Sequence, residues 1–80
     1  MTKEEIFTKV KELIVEELQI PQDKVTIDAS FESDLGADSL DAIELICALE
    51  ENFGLTISDD DAINLKTVQA IVDYVYDNLK

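Results

Sequence analysis

Hydrophobic residues recur at helical spacing near the start of the chain. Thr2-Lys3-Glu4-Glu5 has the form of a capping box, in which two side chains satisfy the backbone N–H groups at a helix start. The apolar residues that follow lie three or four positions apart, namely Ile6, Phe7, Val10, Leu13, Ile14 and Leu18. This spacing predicts a first helix to about Gln19. Pro21 ends it, because proline has no N–H to donate and favours extended geometry in the preceding residue.

Apolar residues alternate with polar ones from Val25 to Phe31, which is the spacing of a strand. The one segment that could pair with it is the short run 55–57, and an isolated two-stranded ribbon is only marginally stable. We therefore expect a long ordered loop, with Ile27, Phe31 and Leu35 filling the core.

A second helix is predicted to begin at Asp38 or Ser39 and to end near Gly54, which supplies a left-handed stop. After it, Ser58 and the three acids that follow have the pattern of a helix cap and first turn, where the helix dipole favours negative charge. They predict a short third helix that ends near Leu65.

A last helix is predicted after Thr67, which is a suitable cap, and its apolar stripe consists of Val68, Ile71, Val72, Val75 and Leu79. The chain has 80 residues, of which 46% are hydrophobic, so it can bury one core but has little room for an enzyme cleft. We expect a single all-α domain over residues 1–80. Its predicted form is a four-helix bundle with a long ordered loop between helices one and two and a short third helix.

The chain has no His and one Cys, which leaves too few ligands for a zinc site and no imidazole for general base catalysis. A lone Cys cannot form an internal disulfide, so the fold suits a reducing compartment. The N-terminus has neither a basic nor an apolar signal region, and the longest apolar run is only residues 45–49. These features predict a cytoplasmic monomer without a membrane span.

The charge is concentrated in the middle of the sequence. The whole chain has a formal net charge of −13, and residues 25–65 contain eleven acids and no basic residue. A nucleic acid would be repelled, because its binding depends on Lys and Arg. Two interpretations of the acidic segment stay open: a solvated surface, or a site for basic partner proteins or divalent cations.

The second helix carries two apolar faces. At about 100° per residue, one stripe forms the core face and comprises Ala42, Leu45, Ile46, Leu49 and Phe53. Leu40, Ile43 and Cys47 point elsewhere, with the acids Asp41, Glu44 and Glu51 around them. An ordinary surface helix needs one apolar face, so the second is typical of a partner-binding patch. The alternative is that loop 22–37 or the third helix covers it.

Ser39 follows a glycine turn at the start of this helix, where unpaired backbone N–H groups favour an anion. A phosphate ester on Ser39 is therefore chemically reasonable. The alternative is plain helix capping, since Ser and Asp are both preferred N-cap residues. Ser39 is not an activated hydrolase nucleophile, because no His is present to deprotonate it. We expect a protein that is not an enzyme.

The run Asp-Leu-Gly-Ala-Asp-Ser-Leu-Asp at residues 34–41, with Glu44-Leu45 and the Ala-Leu-Glu-Glu of residues 48–51, closely resembles the acyl carrier proteins of dissociated fatty acid synthesis. The resemblance covers almost the whole chain. It implies that Ser39 receives 4′-phosphopantetheine from coenzyme A through a separate phosphopantetheinyl transferase. The arm's thiol would then carry acyl intermediates as thioesters, with Asp38 flanking and presenting Ser39.

The resemblance also implies two further sets of residues. Fatty acid synthesis enzymes with basic docking patches would recognise Leu40, Asp41, Ile43, Glu44, Cys47, Glu50 and Glu51. The acyl chain would be sheltered by Leu49, Ile57, Ala62, Leu65 and Ile71. Cys47 departs from the family pattern, in which a larger apolar residue, often Met, is common, and its alternative role is that of a small hydrophobe.

Two other functions stay open from the residues alone. One is a carrier for polyketide, aminoacyl or other specialised acyl pathways. The other is an acidic divalent-cation-binding or protein-interaction module without a prosthetic group. The acids do not have the alternating spacing of an EF-hand loop, so no specific metal site is predicted, although weak calcium or magnesium binding fits the charge.

Overall fold

The computed structural model describes residues 2–36 and 38–79, and for Ser39 it describes the backbone only. Within this part of the chain there is no strand, and the predicted all-α fold is confirmed. Four α-helices follow one another in the order α1 Lys3–Leu18, α2 Ser39–Phe53, α3 Asp59–Asn64 and α4 Val68–Asn78. A single 3₁₀ turn, Gln22–Lys24, interrupts the long loop between α1 and α2.

Helix α1 begins with the predicted capping box. The Glu5 backbone N–H donates to Thr2 Oγ1 at 3.2 Å, and the Thr2 backbone N–H donates to Glu5 Oε1 at 2.9 Å. The hydrogen bonds from Thr2 lower the pKa of the Glu5 carboxyl below its usual range. The helix ends at Leu18, and its C-cap, Gln19, adopts left-handed geometry with φ 54° and donates its N–H to the Val15 carbonyl.

The core lies between α1, α2 and α4, with α1 packed against both of the others. Its fully buried side chains include Ile6, Val10 and Ile14 from α1, Leu49 from α2 and Val75 from α4. At roughly 1.5–3 kcal/mol for each buried aliphatic side chain, these contacts supply most of the stability of helices that would be marginal alone.

The long loop contributes its own residues to this core, but not all of those predicted. Phe31 and Leu35 are buried as expected, whereas the prediction for Ile27 is wrong, because its side chain is 37% exposed. The Ala29 N–H donates to the Thr26 carbonyl at 3.1 Å and closes a turn that breaks the alternating pattern. Val25 and Ala29 take the buried positions in place of Ile27.

The loop is attached to the segment that leads into α4. Ser30 and Thr67 form an isolated antiparallel bridge, and the Phe31 N–H donates to the Lys66 carbonyl at 3.1 Å. The first N–H groups of α4 are satisfied the same way, since Val68 and Gln69 donate to loop carbonyls at 3.0 Å. The loop therefore pairs with residues 66–69, and segment 55–57, the one considered from the sequence, is not its partner.

Helix α4 buries Val68, Ile71, Val72 and Val75, as its stripe predicts. The prediction for Leu79 is wrong, because the helix ends at Asn78 and Leu79 is 40% exposed beyond it. No helix in the described residues is long and apolar enough to span a bilayer.

Candidate functional site

Helix α2 begins with a capping box formed by two aspartates. The Asp41 backbone N–H donates to Asp38 Oδ1 at 2.9 Å, and the Asp38 backbone N–H donates to Asp41 Oδ2 at 3.4 Å. Asp38 is therefore the N-cap, and Ser39 is the first helical residue. Of the two cap residues that the sequence allowed, Asp38 takes that role, so Ser39 is not needed for it.

The chain is anchored just before this helix start. Leu35 is buried, and its N–H donates to the Ser30 carbonyl at 3.1 Å, while Asp34 Oδ2 accepts the Ser30 N–H at 2.8 Å. Gly36 then turns the backbone with a φ of 66°, which a residue with a Cβ rarely adopts. The anchor and the turn thus lie within three residues of the N-cap of α2.

The outer face of α2 is open to solvent. Leu40 and Ile43 are 63% and 61% exposed, and Cys47 is also exposed. The acids Glu44 and Glu51 beside them are exposed as well. Two large aliphatic side chains this open to water on a helix are typical of a surface that meets a partner.

Two acids predicted for that face have partners within the chain. Asp41 belongs to the capping box, and Glu50 is half-buried, with its Oε2 accepting the Ile57 N–H at 3.1 Å. The Glu50 carboxylate thus holds the connection between α2 and α3. Sequence reasoning missed this role, because a bond between residues seven apart depends on the path of the loop.

A cavity of about 580 Å³ lies beside α2. Three of the residues predicted to shelter an acyl chain, Ile57, Ala62 and Leu65, are among its lining. Leu49 and Ile71 are not in the described lining and lie in the core at 0% and 1% exposure. Their periodicity made them core residues, and the sequence gives no means of separating core from cavity wall.

Sequence reasoning also missed part of this lining. Phe31, Ile46 and Ile63 line the cavity, and Ile63 is 67% exposed at the surface of α3. The signal for Ile63 was an apolar residue in a short helix rich in acids. Asp38, Ile43 and Cys47 line the same cavity, which therefore reaches both the residue before Ser39 and the exposed face of α2.

Helix α3 forms one wall of the cavity and has no buried residue of its own. Ser58 caps it by accepting the Asp61 N–H at 3.2 Å. The Tyr74 hydroxyl donates to Asp61 Oδ2 at 2.9 Å and ties α3 to α4. This hydrogen bond raises the pKa of Tyr74, because the carboxylate stabilises the protonated phenol.

The carboxylates of this region do not converge on one point. Among the described residues, no three His, Cys, Asp or Glu side chains are placed to hold a metal ion. The chemistry available at the site is therefore that of a serine at a helix start beside a cavity with apolar and charged lining, together with an exposed apolar and acidic helix face.

Comparison with known proteins gives consistent findings. A protein family described as a phosphopantetheine attachment site matches residues 8–75. The chain is 48% identical to an acyl carrier protein of Petrotoga mobilis over 99% of its own length and 93% of that protein. It is 52% identical to an acyl carrier protein of Exiguobacterium sibiricum, covering 94% and 95% of the two chains. With an acyl carrier protein of Bdellovibrio bacteriovorus the identity is 56%, covering 88% and 90%.

Proposed function

Because the chain belongs to the acyl carrier protein family, we propose that Ser39 carries the phosphopantetheine arm of this protein and that residues 1–80 act as one carrier domain. The protein is a non-catalytic carrier of fatty acid synthesis with a phosphopantetheine attachment site. The alternative of an acidic module without a prosthetic group is set aside by the family match.

The position of Ser39 is the observation that carries this proposal. Ser39 is the first residue of α2, where backbone N–H groups and the helix dipole favour a phosphodiester. Asp38 performs the capping, so the serine is not required for the helix start. By contrast, Ser58 accepts a backbone N–H and is needed as a cap. The region therefore fits a phosphorylated group on Ser39.

The arm supplies the thiol that holds an acyl group as a thioester. The chain itself provides the backbone turn at Gly36 and the N-cap at Asp38, which position the residue to which the arm is attached. Its cavity of about 580 Å³ offers Ile57, Ala62 and Leu65 to an aliphatic chain. Burying each CH₂ of that chain would contribute about 0.8 kcal/mol, so the wall residues favour longer acyl groups up to the size of the cavity.

The exposed face of α2 is proposed as the surface that partner enzymes recognise. Leu40, Ile43 and Cys47 supply apolar contact, while Glu44 and Glu51 supply negative charge for basic docking patches. The partners are a phosphopantetheinyl transferase and enzymes of fatty acid synthesis, met in the cytoplasm by a monomer. Asp41 and Glu50 belong to the same proposed surface, and their internal hydrogen bonds hold the start of α2 and its connection to α3.

The test is covalent loading of purified protein with coenzyme A and a phosphopantetheinyl transferase, followed by intact mass. Wild type and the control Ser33→Ala should each gain one arm, and Ser39→Ala should gain none. Ser33 is a suitable control because it lies in the adjacent loop and its side chain is exposed. Loading of Ser39→Ala to the wild-type extent would contradict the assignment.

A further inference from the structure

The cavity beside α2 is lined by more acidic than basic residues. Four carboxylates contribute to its described lining, from Glu32, Asp38, Glu50 and Asp59. Lys66 is the one cationic residue among them. It is also the first basic residue after the acidic segment 25–65. An anion that enters this cavity is therefore repelled by most of its rim and attracted at one place.

Hydrogen bonds hold the backbone of Lys66 in place, although its side chain is exposed. Its carbonyl accepts the Phe31 N–H at 3.1 Å, and the preceding Leu65 N–H donates to the Ala62 carbonyl at 3.1 Å. The following residue, Thr67, bridges to Ser30 in the long loop. The stem of Lys66 thus starts from a held position at the cavity wall.

The ammonium group of Lys66 has no carboxylate at ion-pair distance among the described residues, although four carboxylates line the same cavity. Lys3 pairs with Asp73 at 3.1 Å elsewhere on the surface. Lys9, Lys11 and Lys24 also have no ion pair within the described part of the chain, so what sets Lys66 apart is its place in the cavity lining. A cation at a cavity rim that its acidic neighbours leave unpaired is available to an anionic ligand.

We infer that Lys66 binds an anionic oxygen group of the loaded arm at the rim of the cavity. This inference rests on the proposed function, because the arm brings the ligand there. Two sources share the chemistry: the carboxylate at the free end of a dicarboxylic acyl group, and the phosphodiester of the arm. A neutral alkyl chain offers no carboxylate, so Lys66 distinguishes carboxylated from plain acyl cargo only if the acyl carboxylate is its ligand.

The first experiment titrates the free carboxylate of protein loaded with a ¹³C-labelled malonyl arm, followed by NMR. Intact mass is recorded first, and a failure to load would refute the proposed function and, with it, the ligand required here. In loaded protein, Lys66→Gln should raise the pKa of the malonyl carboxylate by about 0.3–0.7 unit, the size expected for an exposed ion pair. Lys66→Arg should keep the wild-type value.

The matched control is Lys24→Gln, which removes the same charge at an exposed position outside the cavity lining. It should move the carboxylate pKa by less than half as much as Lys66→Gln.

The second experiment compares the ³¹P chemical shift of protein that carries the arm without an acyl group. A shift change in Lys66→Gln that Lys24→Gln lacks would assign the anion as the phosphodiester, and a change confined to the malonyl pKa would assign it as the acyl carboxylate. Equal effects of the two variants in both experiments would overturn the inference.

Discussion

Replacing Asp38 and Ser39 separately by alanine should show that one residue stabilises the helix start and the other carries the arm. Asp38 Oδ1 accepts the Asp41 N–H at 2.9 Å, and the Asp38 N–H returns a bond to Asp41 at 3.4 Å. Loss of an N-cap side chain costs about 0.5–2 kcal/mol. For a domain of this size each kcal/mol corresponds to a change of about 4–8 °C in Tm.

Asp38→Ala should therefore lower the free energy of unfolding of the unmodified protein by about 1 kcal/mol and the Tm by about 4–8 °C. Ser39→Ala keeps the cap and should stay within about 0.5 kcal/mol of wild type. Asp38→Asn is the matched control, because it removes the same charge and asparagine caps as well as aspartate.

The assay is urea denaturation followed by circular dichroism, with thermal melts on the same samples. A loss in Ser39→Ala as large as that in Asp38→Ala would mean that the serine caps the helix. The separation of attachment from capping would then be refuted.

Three further predictions follow from other contacts. Tyr74→Phe should lower the free energy of unfolding, measured in urea, by about 0.5–1 kcal/mol, because it removes the hydrogen bond from the Tyr74 hydroxyl to Asp61. An unchanged free energy of unfolding would show that this hydrogen bond does not hold α3 to α4. The Glu5 carboxylate should stabilise the fold fully above its usual pKa near 4.5, and this contribution should be lost as the pH falls through the lowered pKa of the folded state. In melts recorded over that acidic range, Glu5→Gln should therefore show a weaker dependence of Tm on pH than wild type. In surface plasmon resonance, Glu44→Lys should slow association with the transferase, whereas Ile43→Ala should speed dissociation with little change in its salt dependence. An association rate of Glu44→Lys equal to that of wild type would place the docking surface elsewhere.

The helix limits could be predicted from the sequence because their signals are local. Thr2, Ser58 and Thr67 each accept a backbone N–H three residues ahead, and Gly54 ends α2 with a φ of 65°. Such caps depend only on nearby residues, so the sequence pattern is enough to place them.

The long loop could not be predicted in the same detail. Ile27 is exposed because its neighbours form a turn and its carbonyl accepts the Gln69 N–H from the start of α4. Bonds between residues 42 positions apart depend on the tertiary fold and leave no local pattern. The prediction for Leu79 failed more simply, because the apolar stripe continues one residue past the end of α4.

The helix start at Ser39 was predictable and its surroundings were only partly so. The glycine turn and the Asp-Ser-Leu pattern predict where the helix begins, and the family resemblance makes Ser39 the proposed attachment point. The internal bond of Glu50 and the position of Lys66 at the cavity required the folded chain, because each depends on segments that meet only in three dimensions. In the sequence both residues are ordinary surface charges.

Ser39 alone is proposed to carry the arm. The most direct test is fragmentation mass spectrometry of peptides from protein that has been loaded by a transferase. We expect the phosphodiester on Ser39 and on no other serine. Finding it on Ser30, Ser33 or Ser58, in protein whose mass shows a single arm, would show that Ser39 is not the attachment point.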